Sequence, residues 1–217
     1  MKLLTNGLFL FVLTLLVACA PDGEKVEAEE AKAVTETAAA ETYAVDAAGS
    51  QIIWVGSKVT GEHSGTINIT DGTLDVAGGN ITGGRFVIDM NSINVTDLAP
   101  GQGKEKLEGH LKTGDFFEVE TYPTAEFVIT GSEAVTGQED VTHRITGNLN
   151  MHGVTKSIDI PASVAMSNGV ISAVAPQFTI DRNEWGVDFK GAEDNLISSQ
   201  IGLSIQLKAN KNAMGMK

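Results

Sequence analysis

The chain holds 217 residues, enough for one domain or a small two-domain protein once any targeting segment is set aside. Hydrophobic residues at 42% and charged residues at 20% fall in the ordinary globular range, and 24 glycines against 5 prolines suit strands joined by tight turns. Fifteen basic against 28 acidic residues give a formal charge of −13, which argues against electrostatic nucleic-acid binding, because phosphate contact needs a basic footprint.

From the N-terminus, "MKLLTNGLFLFVLTLLVACA" opens with one lysine and runs from Leu8 to Ala18 almost without polar side chains. That run is shorter than the about 20 apolar residues of a membrane-spanning helix, so residues 1–18 read as an export signal. It ends in "LVAC", which resembles the lipobox of bacterial lipoproteins, and the resemblance implies cleavage and lipidation at Cys19, the chain's only cysteine. The alternative is an ordinary signal cut nearby, with Cys19 lost or left as a free thiol. In either case the mature domain has no disulfide and depends on packing. Residues 19–42 then read as the lipidated cysteine and a disordered acidic tether: "PDGEKVEAEEAKAVTETAAAET" holds seven acids, two lysines and no aromatic residue. Such a segment buries too little apolar surface to offset the entropy of ordering it. An acidic partner-binding or surface-export signal is the competing reading.

After Tyr43 the pattern turns to period two, as in half-buried strands. Apolar positions two apart recur in residues 52–58 with Trp54, in "GTINIT" (Ile67, Ile69), in "RFVIDM" (Phe86, Ile88, Met90) and in "EFVIT" (Phe127, Ile129). They return in "ITGNLNM" (Ile145, Leu149, Met151), "SIDIPASV" (Ile158, Ile160, Val164) and "FTID" (Phe178, Ile180). The longest case is "NLISSQIGLSIQLKA", where Ile197, Ser199, Ile201, Leu203, Ile205, Leu207 and Ala209 share the dry face and Ser198 and Gln200 the wet one. These make about eight antiparallel strands, separated by turn signals such as "TDGT", "AGGN" and "SNG". One short helix is expected in "GKEKLEGHLKTGDFF", with Leu107 and Leu111 one turn apart and Gly114 as its C-terminal cap. A run of one-faced strands must close on itself or stack in two layers, and eight can close into a barrel that holds either side chains or one small apolar ligand. The domain is expected over residues 43–210, with a tail at 211–217.

Motifs of catalysis and metal binding are mostly missing. His63, His110, His143 and His152 fall in no metal-ligand spacing, and no nucleophile elbow, Ser-x-x-Lys pair or dinucleotide loop occurs. No metal and no cofactor is expected, and no catalytic residue is assigned. Three Asn-x-Thr runs, at Asn68, Asn80 and Asn94, match a glycosylation acceptor and read here as turn and strand chemistry. Strand parity carries more. Counting back from Ile69 and Ile67 through Gly65 places His63 on the apolar face, and counting on from Phe178 and Ile180 places Arg182 there. The two could meet a ligand's polar head while apolar stripes hold its tail. The plainer alternative seats both at a rim or past a bulge, bonded to carboxylates or carbonyls. Trp54, Trp185, Phe116 and Phe117 are cavity wall or core, categories that merge in a hollow barrel. In "NLNMHGVTKSIDI" His152 has the wrong parity to join Leu149 and Met151 inside, so the stretch reads as a hairpin.

Four ordered motifs, "GSKVTGEHSGTI", "KLEGHLKTGDFFEVETYPTAEF", "GNLNMHGVTKSIDIPA" and "FTIDRNEWGV", resemble the YceI-like family of exported polyisoprenoid-binding proteins over roughly residues 43 to 210. The resemblance implies an all-β, lipocalin-like fold: an extended eight-stranded antiparallel barrel with one short helical segment and a long apolar cavity for an isoprenoid chain or quinone-like tail. It marks Gly109 to Phe117 and Phe178 to Val187 as stretches near that cavity. The expected cavity wall comprises Trp54, Ile67, Ile69, Phe86, Ile88, Phe116, Phe117, Phe127, Ile129, Leu149, Phe178, Ile180, Trp185, Ile201 and Leu203, with His63 and Arg182 at the head group. Partners would be the isoprenoid lipid as ligand and a membrane through the N-terminal anchor, with a homodimer left open. The expected place is the bacterial cell envelope, as an exported lipoprotein. Two rivals stand beside this: a solid β domain serving in adhesion or envelope stress, and an enzyme acting on such a lipid with His63, His110 or His152 as acid or base.

Overall fold

A computed structural model describes residues 20–35, 37 and 40–211. The expected signal peptide, Cys19 and most of the C-terminal tail lie outside the described residues. In chain order the strands are β1 (Glu24–Lys25), β2 (Glu29–Glu30), β3 (Glu41–Val45), β4 (Gln51–Lys58), β5 (Gly61–Ala77), β6 (Asn80–Val95), β7 (Thr124–Ala134), β8 (His143–Met151), β9 (Val154–Ser167), β10 (Val170–Asp181), β11 (Gly191–Ala192) and β12 (Asn195–Lys211). Among the described residues one α-helix, α1 (Lys104–Leu111), lies between β6 and β7.

Eight strands, β4 to β10 and β12, form a closed antiparallel barrel, in which each pairs with the next and β12 returns to β4. Closure leaves no open edge of the kind that invites aggregation. β3 continues the place of β4 past a 3-10 turn at Ala47–Gly49, pairing β12 on one side and β5 on the other. All eight alternating stretches of the sequence fall inside these strands, which in β5 and β6 run much longer. Register shifts at Thr66/Asn68, Ile69/Asp71 and Asp75/Val76 interrupt that pair. Each shift reverses which residues point inward, so period-two counting stops where the strand does not.

Tight hairpins set the register. Gly78 with Gly79, His152 with Gly153, and Asn168 with Gly169 each hold two successive residues at positive φ, between 51° and 82°. That geometry matches the right-handed twist of the flanking strands in a two-residue turn. Met151 and Val154, on either side of His152 and Gly153, pair directly, so "NLNMHGVTKSIDI" is a hairpin.

The helix is shorter than its sequence signals. Its C-cap is Lys112 rather than Gly114, because Thr113 closes the last turn early: its N–H and hydroxyl both donate to His110 O, at 3.1 and 2.8 Å. Lys104 and Glu108 pin α1 to the end of β6. The Lys104 ammonium donates to Asn94 Oδ1 (2.8 Å) and Val95 O (2.6 Å), and Glu108 accepts from Val95 N–H (2.8 Å).

The acidic segment expected to be a solvated tether is instead, through much of its length, part of the fold. Glu24 and Lys25 pair in parallel with Phe178 and Thr179 of β10, and Glu29 and Glu30 pair antiparallel with Ser157 and Lys156 of β9. Composition alone missed this because the segment builds no core of its own. It borrows backbone partners from two barrel strands and places one apolar side chain, Val26, in the core at 5% exposure.

Candidate functional site

The barrel interior is hollow. Two adjoining cavities of about 150 and 170 Å³ share Ile52, Ile88, Leu149 and Leu203 as a waist. The first is lined only by aliphatic and phenylalanine side chains, contributed by the inward positions of β4 to β10 and β12 together with Leu74 and Ile81. It is apolar because every strand presents its apolar face there. The second is lined in part by Leu111, Phe116 and Phe117, from the end of α1 and the loop after it, and contains the only polar lining of the two: Arg182, Ser198 and Gln200. Together the lobes reach the lower part of the roughly 300–1,000 Å³ range of small-ligand sites.

Of the fifteen residues expected to line the cavity, fourteen do. Ile69, Phe86, Phe127, Ile129 and Phe178 face the first lobe, Trp54, Ile67, Phe116, Phe117, Ile180 and Ile201 the second, and Ile88, Leu149 and Leu203 both. Trp185 does not. β10 ends at Asp181 in a 3-10 turn (Arg182–Trp185), so strand parity no longer applies. The indole is fully buried outside both lobes, its Nε1–H donating to Leu149 O at 3.0 Å. Gly147 allows Phe127 to lie across the barrel wall, since a Cβ there would sit 2.2 Å from the ring.

The two expected head-group residues are not brought together on one cavity. His63 lies beyond the second lobe, in a groove at the rim with Leu107, His110 and Phe189. The ring of Trp54 packs over Gly65, within 2.5 Å of where a Cβ would be, and ends the interior one step before His63. His63 Nδ1 instead meets Asp97 Oδ2 at 2.8 Å, and Asp97 Oδ1 accepts from Ser64 N–H at 3.0 Å. Burial pushes the Asp97 carboxyl up, but the hydrogen bonds from His63 and Ser64 outweigh it and hold the group below the usual carboxylate range.

Arg182 does line the second lobe and is 2% exposed. Its Nε donates to Ser198 O (3.2 Å), its Nη2 to Phe189 O (2.5 Å) and its Nη1 to Val187 O. The Phe116 ring lies 5.7 Å from the guanidinium carbon, a cation–π distance. Burial pulls the guanidinium down from its ordinary value, with Asp181 and Asp188 opposing. It remains charged, as arginine does in proteins.

Ser198 and Gln200 are cavity-lining positions that parity assigns to the wet face. β12 shifts register against β4 between Ile197 and Ile201, and Ile197, Ser198, Gln200 and Ile201 all line the second lobe. Within the shifted stretch Ser198 O accepts from Arg182 Nε, a partner that takes the place of a β4 ladder bond. Gln200 Oε1 is buried with no hydrogen-bond partner among the described residues. A tool for finding it in the sequence would need the bulge, which has no glycine to announce it.

A family model described as the YceI-like domain matches residues 43–209. The chain belongs to the YceI-like family. Curated relatives include a UPF0312 protein of Pseudomonas putida, 30% identical over 99 residues, which are 43% of this chain and 50% of the relative. Another is a UPF0312 protein of Azotobacter vinelandii, 37% identical over 70 residues, 32% of this chain and 35% of the relative. The chain thus spans half or less of the length of these relatives. Among solved structures, BcnA of Burkholderia cenocepacia is similar at a TM-score of 0.62 and 19% identity, covering 76% of this chain and 99% of that one. A polyisoprenoid binding domain from Saccharophagus degradans, implicated in plant cell wall breakdown, is similar at a TM-score of 0.60 and 21% identity, covering 78% and 98%. At these identities the likeness is one of fold, and this YceI-like chain shares the barrel with both.

Proposed function

We propose that this YceI-like protein is a membrane-tethered binding or carrier protein for a long-chain isoprenoid lipid, polyisoprenoid or quinone-like, held in the barrel cavity. The observation that carries the reading is the two-lobed apolar interior, with polar side chains confined to one end. Burial of a hydrocarbon tail there contributes roughly 0.8 kcal/mol per methylene without any specific chemistry. Gln200 and the Arg182 end would then orient a polar head. The Saccharophagus degradans domain of the same fold, which binds polyisoprenoid, supports this choice of ligand. Binding is favoured over catalysis because none of the four histidines lines either lobe. His63, His110 and His152 are engaged with Asp97, Asp115 and the carbonyl of Trp185.

The tether is Cys19, lipidated after export, which places the protein at the cell envelope. Only Ala20 separates it from Pro21, a buried residue, so the anchor holds the barrel close to the bilayer. Titration of the purified protein with geranylgeraniol, a C20 prenol, tests the binding reading. Saturable binding is expected, and Ala125→Phe, which fills the second lobe at its wall, is expected to abolish it while circular dichroism still reports a β fold. Unchanged binding by the filled variant overturns the cavity assignment.

A further inference from the structure

β9 and β10 are joined by five residue pairs, from Val170 with Ser167 to Val174 with Ser163. Every other seam of the barrel has six or more. Beyond Val174 the strands part, as β10 shifts register between Ala175 and Phe178 while β9 continues along β8. The gap lies beside the first lobe, whose lining includes Ile158, Ile160, Ala162, Ala175 and Phe178 from these two edges.

Residues 22–32 fill that gap. β1 lies on β10 and β2 on β9, and Val26 N–H donates to Thr179 O at 2.8 Å. Val26 turns into the core and Ala28, two residues on, packs half-buried against it, whereas Glu27, Glu29 and Glu30 stay exposed. The wall left behind the segment is thin: Ile158 lines the first lobe on one side and, with Ser157 and Val26, the space beneath the segment on the other.

We infer that residues 22–32 form a strap over a lateral portal into the cavity, and that its release from β9 and β10 admits or discharges the ligand. The inference rests on the isoprenoid-binding reading. Passage through the gap between β9 and β10 breaks no ladder pair between barrel strands, and Phe116 and Phe117, from the loop after α1, line the second lobe. The strap is also the element held by the fewest ladder pairs for its length. Its other fastenings are exposed at Glu24 on Arg144, at 2.5 and 3.0 Å, and at the Gln177 amide on Asp22 O, at 2.7 Å, and part-buried at the reciprocal bonds between Asn148 and the Lys32 backbone, at 2.9 and 2.8 Å.

Glu30 and Lys156 oppose each other in register, with Nζ 3.3 Å from Oε1, so Glu30→Cys with Lys156→Cys staples the strap shut. The chain from Ala20 onward, which contains every described residue and no native thiol, is loaded with tritiated geranylgeraniol, and transfer to phosphatidylcholine vesicles is followed. Oxidation is expected to slow transfer at least tenfold, and reduction to restore it. Retention of prenol with equal rates in both forms overturns the portal alone, whereas no retention in either form overturns the binding reading and the portal with it. Hydrogen exchange gives an arm that needs no ligand. The amides of Val26 and Lys32 are expected to exchange at least tenfold faster than those pairing β10 with β12, and equal protection overturns the strap's release.

Discussion

Arg182 donates to carbonyls of two separate segments, residues 187–189 and Ser198, and so fixes both the loop after β10 and the bulge of β12. Arg182→Leu leaves these acceptors without their donor, and buried acceptors left unpaired cost about 1–3 kcal/mol each. A loss of roughly 3 kcal/mol in urea denaturation is expected, after allowing for the partial exposure of two of the three. At the rim, Asp97 is held below its ordinary range by His63 and Ser64 against the opposing effect of burial. A carboxyl depressed on folding adds stability above its unfolded pKa, and that contribution disappears as pH falls through the folded pKa. Asp97→Asn should therefore be less stable than the wild type at neutral pH, and the two should converge in acid, as thermal melts across pH will show. Gly147→Ala drives a methyl into the Phe127 ring, and overpacking of this kind costs about 1–3 kcal/mol. At this scale the sequence was informative wherever parity held. It placed Arg182 inward, since that residue opens the 3-10 turn directly after the regular run from Phe178 to Asp181, and misplaced Gln200, Trp185 and His63, each of which lies beyond a bulge, further into that turn or behind a blocking ring.

Elements were legible in proportion to their regularity. β4, β7, β8 and β12 announce themselves by alternation, whereas β5 and β6 exceed their alternating cores because their register shifts break the period. β1 and β2 were illegible, since two-residue strands in an acidic segment carry no pattern and take their partners from residues more than a hundred positions away. The strap's docking nonetheless depends on one apolar side chain. Val26→Asp would bury a charge at a site 5% exposed, which favours release over burial. Limited trypsin digestion is expected to cut after Lys25 or Lys32 at least tenfold faster in this variant, with the barrel surviving as a protected fragment. Cleavage at the wild-type rate would show that the strap is held by its backbone pairs and not by Val26.

For the molecule as a whole, closure and cavity follow from one circumstance. Eight strands curve far enough to close but, with residues as small as Ala125, Ala162, Ala173 and Ala175 facing inward, do not fill the space they enclose. The rival reading of a solid β domain meets that hollow interior as its main difficulty. The central claim is that a long-chain isoprenoid occupies it, and the most direct measurement is mass spectrometry of an organic extract of the protein purified from the cells that produce it. A stoichiometric isoprenoid lipid, lost from the Ala125→Phe variant, is the predicted result. An extract without isoprenoid, or one whose lipid is equally abundant in the filled variant, would contradict it.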